Sequence, residues 1–163
     1  MTPTPQKKPD IAPQQTPDVM GAMKAEKVGS EATKTPEEIV RADSVRQGVD
    51  PTRVMKGLVS EKKRNPQVKT IQIGNTLFVV TQKEPQLVEA HIFTAESPQV
   101  IAKRYTALVK ILKSQGMKRG YTYSDQPGFK KVAEMTGLPV KVTQTTQPMG
   151  GKIKPVYKFE LQF

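Results

Sequence analysis

The chain has no cysteine, no tryptophan and one histidine, His91, among its 163 residues. Without cysteine there is no disulfide framework, no thiolate nucleophile and no Cys-based metal site. A single histidine argues against a Ser-His-Asp triad and against a multi-histidine metal centre, so no metal is expected. No apolar run approaches the ~20 residues needed to cross a bilayer, and Met1–Asp10 carries no hydrophobic signal region. A soluble protein without a membrane partner is expected, in the cytoplasm of the cell that makes it.

The formal net charge is +11, and its distribution is uneven. Up to Gln67 twelve Lys/Arg face nine Asp/Glu; beyond it fourteen face six, so +8 of the excess lies on the second part. A nucleic acid or an acidic protein surface is the kind of neighbour such a charge attracts.

Residues 1–34 carry prolines at positions 3, 5, 9, 13 and 17 and almost no apolar periodicity. A segment of this kind cannot bury enough surface to offset its ordering entropy, so it reads as an extended, disordered arm that could become ordered along a neighbouring subunit. Residues 35–67 hold two short helices and a linker. Thr35, Pro36 and Glu38 spell a capped helix start and Gly48 a stop; Asp50 and Pro51 open the second helix. The narrow apolar stripe of Ile39, Val40, Val54, Met55, Leu58 and Val59 could pack on the following domain or dock on a partner.

From Val68 the apolar period becomes two. Val68–Ile73, a Gly74-Asn75 turn, Thr76–Gln82, a Lys83–Gln86 turn and Leu87–Phe93 predict three antiparallel strands. The central stretch, Phe93–Pro139, then predicts strand end, helix, strand, helix. Ser97 reads as the N-cap and Pro98 as the first residue of a helix whose stripe includes Ile101, Tyr105, Leu108 and Leu112. Gly116 falls at its C′ position, Met117–Tyr123 reads as a strand, and Phe129, Val132, Ala133 and Met135 mark a helix ended by Gly137. Strands joined through helices imply parallel pairing. Val140–Thr146 is another strand, Gln147–Lys154 a loop, and Val156–Phe163 a final strand with Tyr157, Phe159, Leu161 and Phe163 on one face. The fold class is α+β or α/β: residues 68–163 form a mixed sheet covered by two helices, preceded by two short helices and an extended arm.

Several side chains invite a chemical reading. Glu89 and His91 alternate on one strand and share a face, either as a proton-transfer pair or as a plain polar face. Lys103, Arg104, Lys110, Lys113, Lys118, Arg119, Lys130 and Lys131 mark the outer sides of the two later helices and their connection, a solvated basic surface or a contact for an acidic partner or DNA. Tyr121 and Tyr123 beside Arg119 could stack bases or fill the core rim. Gly150-Gly151 is a turn signal only.

This order of elements resembles that of the GCN5-related N-acetyltransferases over residues 68–163. Val132–Leu138 is similar to that family's helix-ending pattern, and Ser124-Asp125-Gln126 falls where the family tends to carry an asparagine. The resemblance implies an acetyl-CoA site at the turn entering the long helix, which in the family is glycine-rich and cradles the pyrophosphate on backbone N–H groups. The corresponding Thr94, Ala95, Glu96, Ser97, Pro98 and Gln99 have no glycine, lose a donor at Pro98 and add a carboxylate at Glu96. The family's thiolate-protonating tyrosine falls at Ala133. No cofactor and no catalytic residue are therefore expected. Phe93–Pro98, Leu112–Gly116, Tyr123–Pro127 and Gly137–Val140 are similar to acetyltransferase-like proteins among tailed-bacteriophage virion genes. That likeness implies a non-enzymatic virion component, present in many copies, with portal, capsid or ejection proteins and packaged DNA as neighbours, made in the host cytoplasm. The readings left beside it are an acetyl-CoA-dependent N-acetyltransferase with a remodelled loop and a basic nucleic-acid-binding protein.

Overall fold

In the computed structural model, residues 26–28, 31–149 and 151–163 are described. Two capped helices lead into the main body of the sheet. Thr35 accepts from the Glu38 N–H at 3.1 Å while the Glu38 carboxylate accepts from the Thr35 N–H at 2.8 Å, so α1 (Pro36–Gln47) starts on a reciprocal cap. Gly48, at φ 74°, ends it in a conformation that a residue with a Cβ resists. Asp50 caps α2 (Pro51–Arg64) by accepting from the Thr52 N–H.

Strands follow: β1 (Glu26–Val28) joins from the N-terminal side, then β2 (Val68–Ile73), β3 (Thr76–Glu84) and β4 (Leu87–Thr94). The long helix α3 (Pro98–Ser114), β5 (Arg119–Ser124), the short α4 (Phe129–Met135), β6 (Lys141–Met149) and β7 (Lys152–Gln162) complete the chain. The sheet order is β1-β2-β3-β4-β5-β7-β6. β2, β3 and β4 form the expected antiparallel meander, and β5 pairs parallel to β4 across the α3 crossover. β4 and β5 touch only from Leu87↔Arg119 to Glu89↔Tyr121, so they part beyond Glu89.

The sheet has a core on each face. Ile39, Val40, Met55 and Leu58 from α1 and α2 pack on Val68, Leu77 and Val79, with Val54 and Val59 at the margin. On the other face, Leu108 and Leu112 of α3 cover Ile71, Phe78, Val80 and Val88. Phe78, Tyr105, Phe129 and Phe159 make an edge-to-face chain with centroids 5.0, 5.5 and 4.8 Å apart, tying β3, α3, α4 and β7 together. Such contacts add to area burial because ring edges and faces carry opposite partial charge.

Of the two readings left open for the α1/α2 stripe, packing within the chain is the one seen: Ile39 and Val40 are at most 1% exposed, Met55 and Leu58 are buried and Val54 and Val59 half-buried, because the sheet face beneath them is itself apolar and uncovered by α3. Two expectations change. β5 begins at Arg119 rather than Met117, because the Met117 N–H closes the end of α3 on the Leu112 carbonyl. Gln147–Lys154 is not an open loop. β6 and β7 stay paired as far as Met149↔Lys152, and Pro148 is tolerated because β6 is an edge strand. Of the expected arm, residues 1–25 and 29–30 lie outside the described residues. Glu26–Val28 pairs parallel with Ile71–Ile73, and the Thr33 and Lys34 N–H groups donate to Asn75 Oδ1.

Candidate functional site

In a sheet of this topology the place to look is where β4 and β5 separate, at the turn into α3. Here that turn is occupied by its own side chains. Arg104, two turns into α3, donates from Nε to Glu96 Oε1 at 3.0 Å and from its terminal nitrogen to Oε2 at 2.9 Å, a bidentate pair. Thr76 Oγ1 donates to Glu96 Oε1 at 2.6 Å, and Glu31 meets the other guanidinium nitrogen at 2.7 Å. The guanidinium lies directly on Gly74, leaving no room for a side chain there. Burial opposes ionisation of Glu96, but Arg104 and Thr76 outweigh it and hold the carboxyl below its ordinary range. Glu96 in turn raises the pKa of Arg104, against burial, so the pair stays charged.

The turn's backbone is used up as well. Asp43 of α1, 3% exposed, accepts from the Thr94 N–H at 3.2 Å, and Arg46 donates to the Thr94 carbonyl. The Glu96 N–H donates to Thr94 Oγ1 at 3.0 Å. With Pro98 lacking an N–H, three of the six residues 94–99 cannot donate to a bound anion. Ser97 stands at the N-cap of α3, but its side chain makes no capping bond. The residues present therefore do not fit a coenzyme A pyrophosphate at this turn. The obstacle differs from the one read in the sequence, since the Glu96 charge is neutralised inward rather than aimed at a ligand.

Between α3 and α4 lies an apolar cavity of about 80 Å³, walled by Leu108, Val132, Ala133, Phe159 and Phe163 among others. Ala133, the position implied for a proton-donating tyrosine, gives it only a methyl group. The Tyr105 hydroxyl, fully buried at its margin, faces Thr122 without a well-aligned hydrogen bond among the described residues, and burial pushes its pKa up.

Among the described residues, α1 and α2 pack on Val68, Leu77 and Val79 and not on the β5 and β7 side chains of the same face. Register places Glu89, Tyr121, Tyr123, Lys158 and Glu160 together there. Glu89 Oε1 lies 3.5 Å from Lys83 and Oε2 lies 3.7 Å from His91 Nε2, so the Glu89/His91 pair expected from alternation exists, shared with a lysine the sequence did not single out. Tyr121 and Tyr123 meet at 5.6 Å, and Lys158 sits 4.7 Å over the Tyr121 ring. Burial first, then Glu89, Tyr123 and Glu84, raises the Tyr121 pKa.

Of the eight residues read as a basic surface, Lys103, Lys110, Lys113, Lys118, Arg119, Lys130 and Lys131 are exposed. Arg119 pairs with Glu84 at 3.4 Å. Arg104 leaves the set: its side chain is 12% exposed and bound to two carboxylates. Asp43 and Thr76 were missed entirely, since nothing local marks a helix aspartate or a strand threonine as partners of a turn so far along the chain. Gly150 lies outside the described residues; Gly151 turns the β6–β7 hairpin at φ 81°.

No protein-family model matches the chain, and no curated protein does. Solved structures do. RimL, a ribosomal L7/L12 α-N-protein acetyltransferase in complex with coenzyme A, is 13% identical with a TM-score of 0.55, over 77% of this chain and 85% of that one. A putative acetyltransferase from Acinetobacter baylyi ADP1 is 8% identical with a TM-score of 0.55, over 78% and 85%. The microcin C7 self-immunity acetyltransferase MccE, in complex with acetyl-CoA and AMP, is 9% identical with a TM-score of 0.52, over 78% and 84%.

Proposed function

We propose that this chain, which has the fold of the GCN5-related N-acetyltransferases, works by binding rather than by acyl transfer, as a structural or assembly protein. The observation that carries this is the Glu96–Arg104–Thr76 cluster, which fills the turn where that fold offers an anion its N–H groups. A tailed-phage virion is the setting implied by the wording of residues 93–98, 112–116, 123–127 and 137–140, with the N-terminal segment docking on neighbouring portal, capsid or ejection subunits. Hydrogen exchange tests that setting: residues 1–34 should gain protection in the assembled particle, and equal exchange in both states would rule the docking role out.

A second reading is N-acetyl transfer with the cofactor held elsewhere. Three observations favour it: the shared fold, the bound cofactors named for RimL and MccE, and the half-buried Glu89 with His91 and Tyr121 on the same sheet face. Calorimetry with acetyl-CoA separates the two. Absence of saturable binding is expected at the turn as built; a micromolar Kd would overturn the binding-only reading.

A further inference from the structure

The β6–β7 hairpin outruns the sheet. β5 pairs with β7 only as far as Ser124↔Tyr157, while β6 and β7 remain paired from Thr145↔Val156 to Met149↔Lys152. Val156, in the first of these pairs, is 2% exposed and packed, and the four pairs from Thr146↔Pro155 to Met149↔Lys152 form a two-stranded ribbon that stands roughly 13 Å beyond its support. An isolated hairpin of this length is marginal in water, so a protruding one is a feature to be explained by what it contacts.

Its composition is one-sided. Residues 141–158 include Lys141, Lys152, Lys154 and Lys158 and not one Asp or Glu. The antiparallel register, unbroken over the whole hairpin, puts all four lysines on the same face, because Lys141↔Glu160, Thr143↔Lys158, Gln147↔Lys154 and Met149↔Lys152 are opposite pairs. Thr143, Thr145 and Gln147 stand among them, short and medium side chains that donate and accept hydrogen bonds. The carboxylates that approach this face come from outside residues 141–158: Glu160 at 3.3 Å from Lys158, and Asp125 at 3.9 Å from Lys154. Lys141, Lys152 and Lys154 are exposed, and Ile153 on the opposite face is 76% exposed.

We infer that this ribbon is a contact surface for double-stranded nucleic acid, with its lysine face on the phosphates and its tip in a groove. The B-DNA major groove, about 12 Å wide, admits a two-stranded ribbon, and phosphates reward a row of cations by releasing counterions. An acidic protein surface would accept the charge, but gains nothing from the narrow ribbon shape or from the threonines and glutamine along it. This proposal does not depend on how the α3 turn is read, and acetyl-CoA binding would leave it standing.

The test is fluorescence anisotropy of the full chain with a labelled 20-base-pair duplex between 50 and 200 mM KCl. Lys158 is engaged by Glu160 and the Tyr121 ring, so three lysine–phosphate contacts give a slope of log affinity against log salt near −2.7, about 40-fold weakening across that range. The K152Q/K154Q variant removes both charges, keeps most of the side-chain length and should lose about two thirds of the slope, leaving roughly 3.5-fold weakening. K141Q alone should lose about a third and serves if the double change unfolds the tip, as read by circular dichroism. K110Q/K113Q on α3 should leave the slope unchanged. Absence of saturable binding at 50 mM salt, an unaltered slope in both folded ribbon variants, or a loss seen only with the α3 variant would each overturn the assignment.

Discussion

Replacing Arg104 by alanine isolates what closes the turn into α3. The guanidinium makes two bonds to Glu96 and one ion pair to Glu31, and its side chain and that of Glu96 are 12% and 17% exposed. Breaking a buried pair by removing one partner costs about 3–5 kcal/mol, because the other charge is left in poor solvent. Glu96 keeps the Thr76 hydroxyl and some water, so about 2–3 kcal/mol is expected for Arg104→Ala. In a chain of this size that lowers Tm by roughly 4–12 °C. Far-ultraviolet circular dichroism is the natural readout, since the chain has no tryptophan. Glu96→Gln should cost less, and the double variant less than the sum of the two, because the second change removes the stranded charge. The pH dependence has a definite sign. Glu96 is held below its ordinary value, so in acid the unfolded chain binds its proton first and stability rises with pH. The gap between wild type and Glu96→Gln should be full above the ordinary carboxylate range and close as pH falls through the folded value. A melting shift below 1 °C for Arg104→Ala, or a gap that persists undiminished near pH 2, would refute the reasoning.

Two further outcomes follow from packing. Gly74→Ala should destabilise more than Gly137→Ala in chemical denaturation, though both glycines have positive φ, because a Cβ at Gly74 overlaps the Arg104 guanidinium while one at Gly137 meets open space; equal losses of about 1 kcal/mol would mean that only backbone strain matters. Phe129→Ala removes the ring between Tyr105 and Phe159 and should cost about 2–4 kcal/mol and loosen α4 in hydrogen exchange, whereas an unchanged exchange pattern would show that the aromatic chain does not anchor that helix.

Much of the architecture is written locally. The caps at Thr35 and Asp50, the positive-φ stops at Gly48, Gly116 and Gly137, the Gly74 hairpin and the change of apolar period at Val68 each depend on residues within a turn or two of one another. Such signals survive without knowledge of the partner strand, which is why the meander, the crossover and the two covering helices were legible. The poverty of Thr94–Gln99 as an anion cradle was legible too, since a missing glycine and a missing N–H are properties of the residues themselves.

Other features depend on which distant groups meet. That Ile39 and Val40 serve the chain's own core and that Asp43 holds the Thr94 amide follow from α1 and α2 lying over β2–β4, and that Arg104 turns inward follows from α3 bringing it beside Glu96 and Glu31. The long β6–β7 ribbon was misread for the same reason. Its glycines, prolines and polar residues carry turn signals, and only pairing across the hairpin shows that the strands run on through them. A charge or an apolar stripe names its own chemistry, but its partner comes from the far end of the chain, and the geometry of the folded sheet selects it.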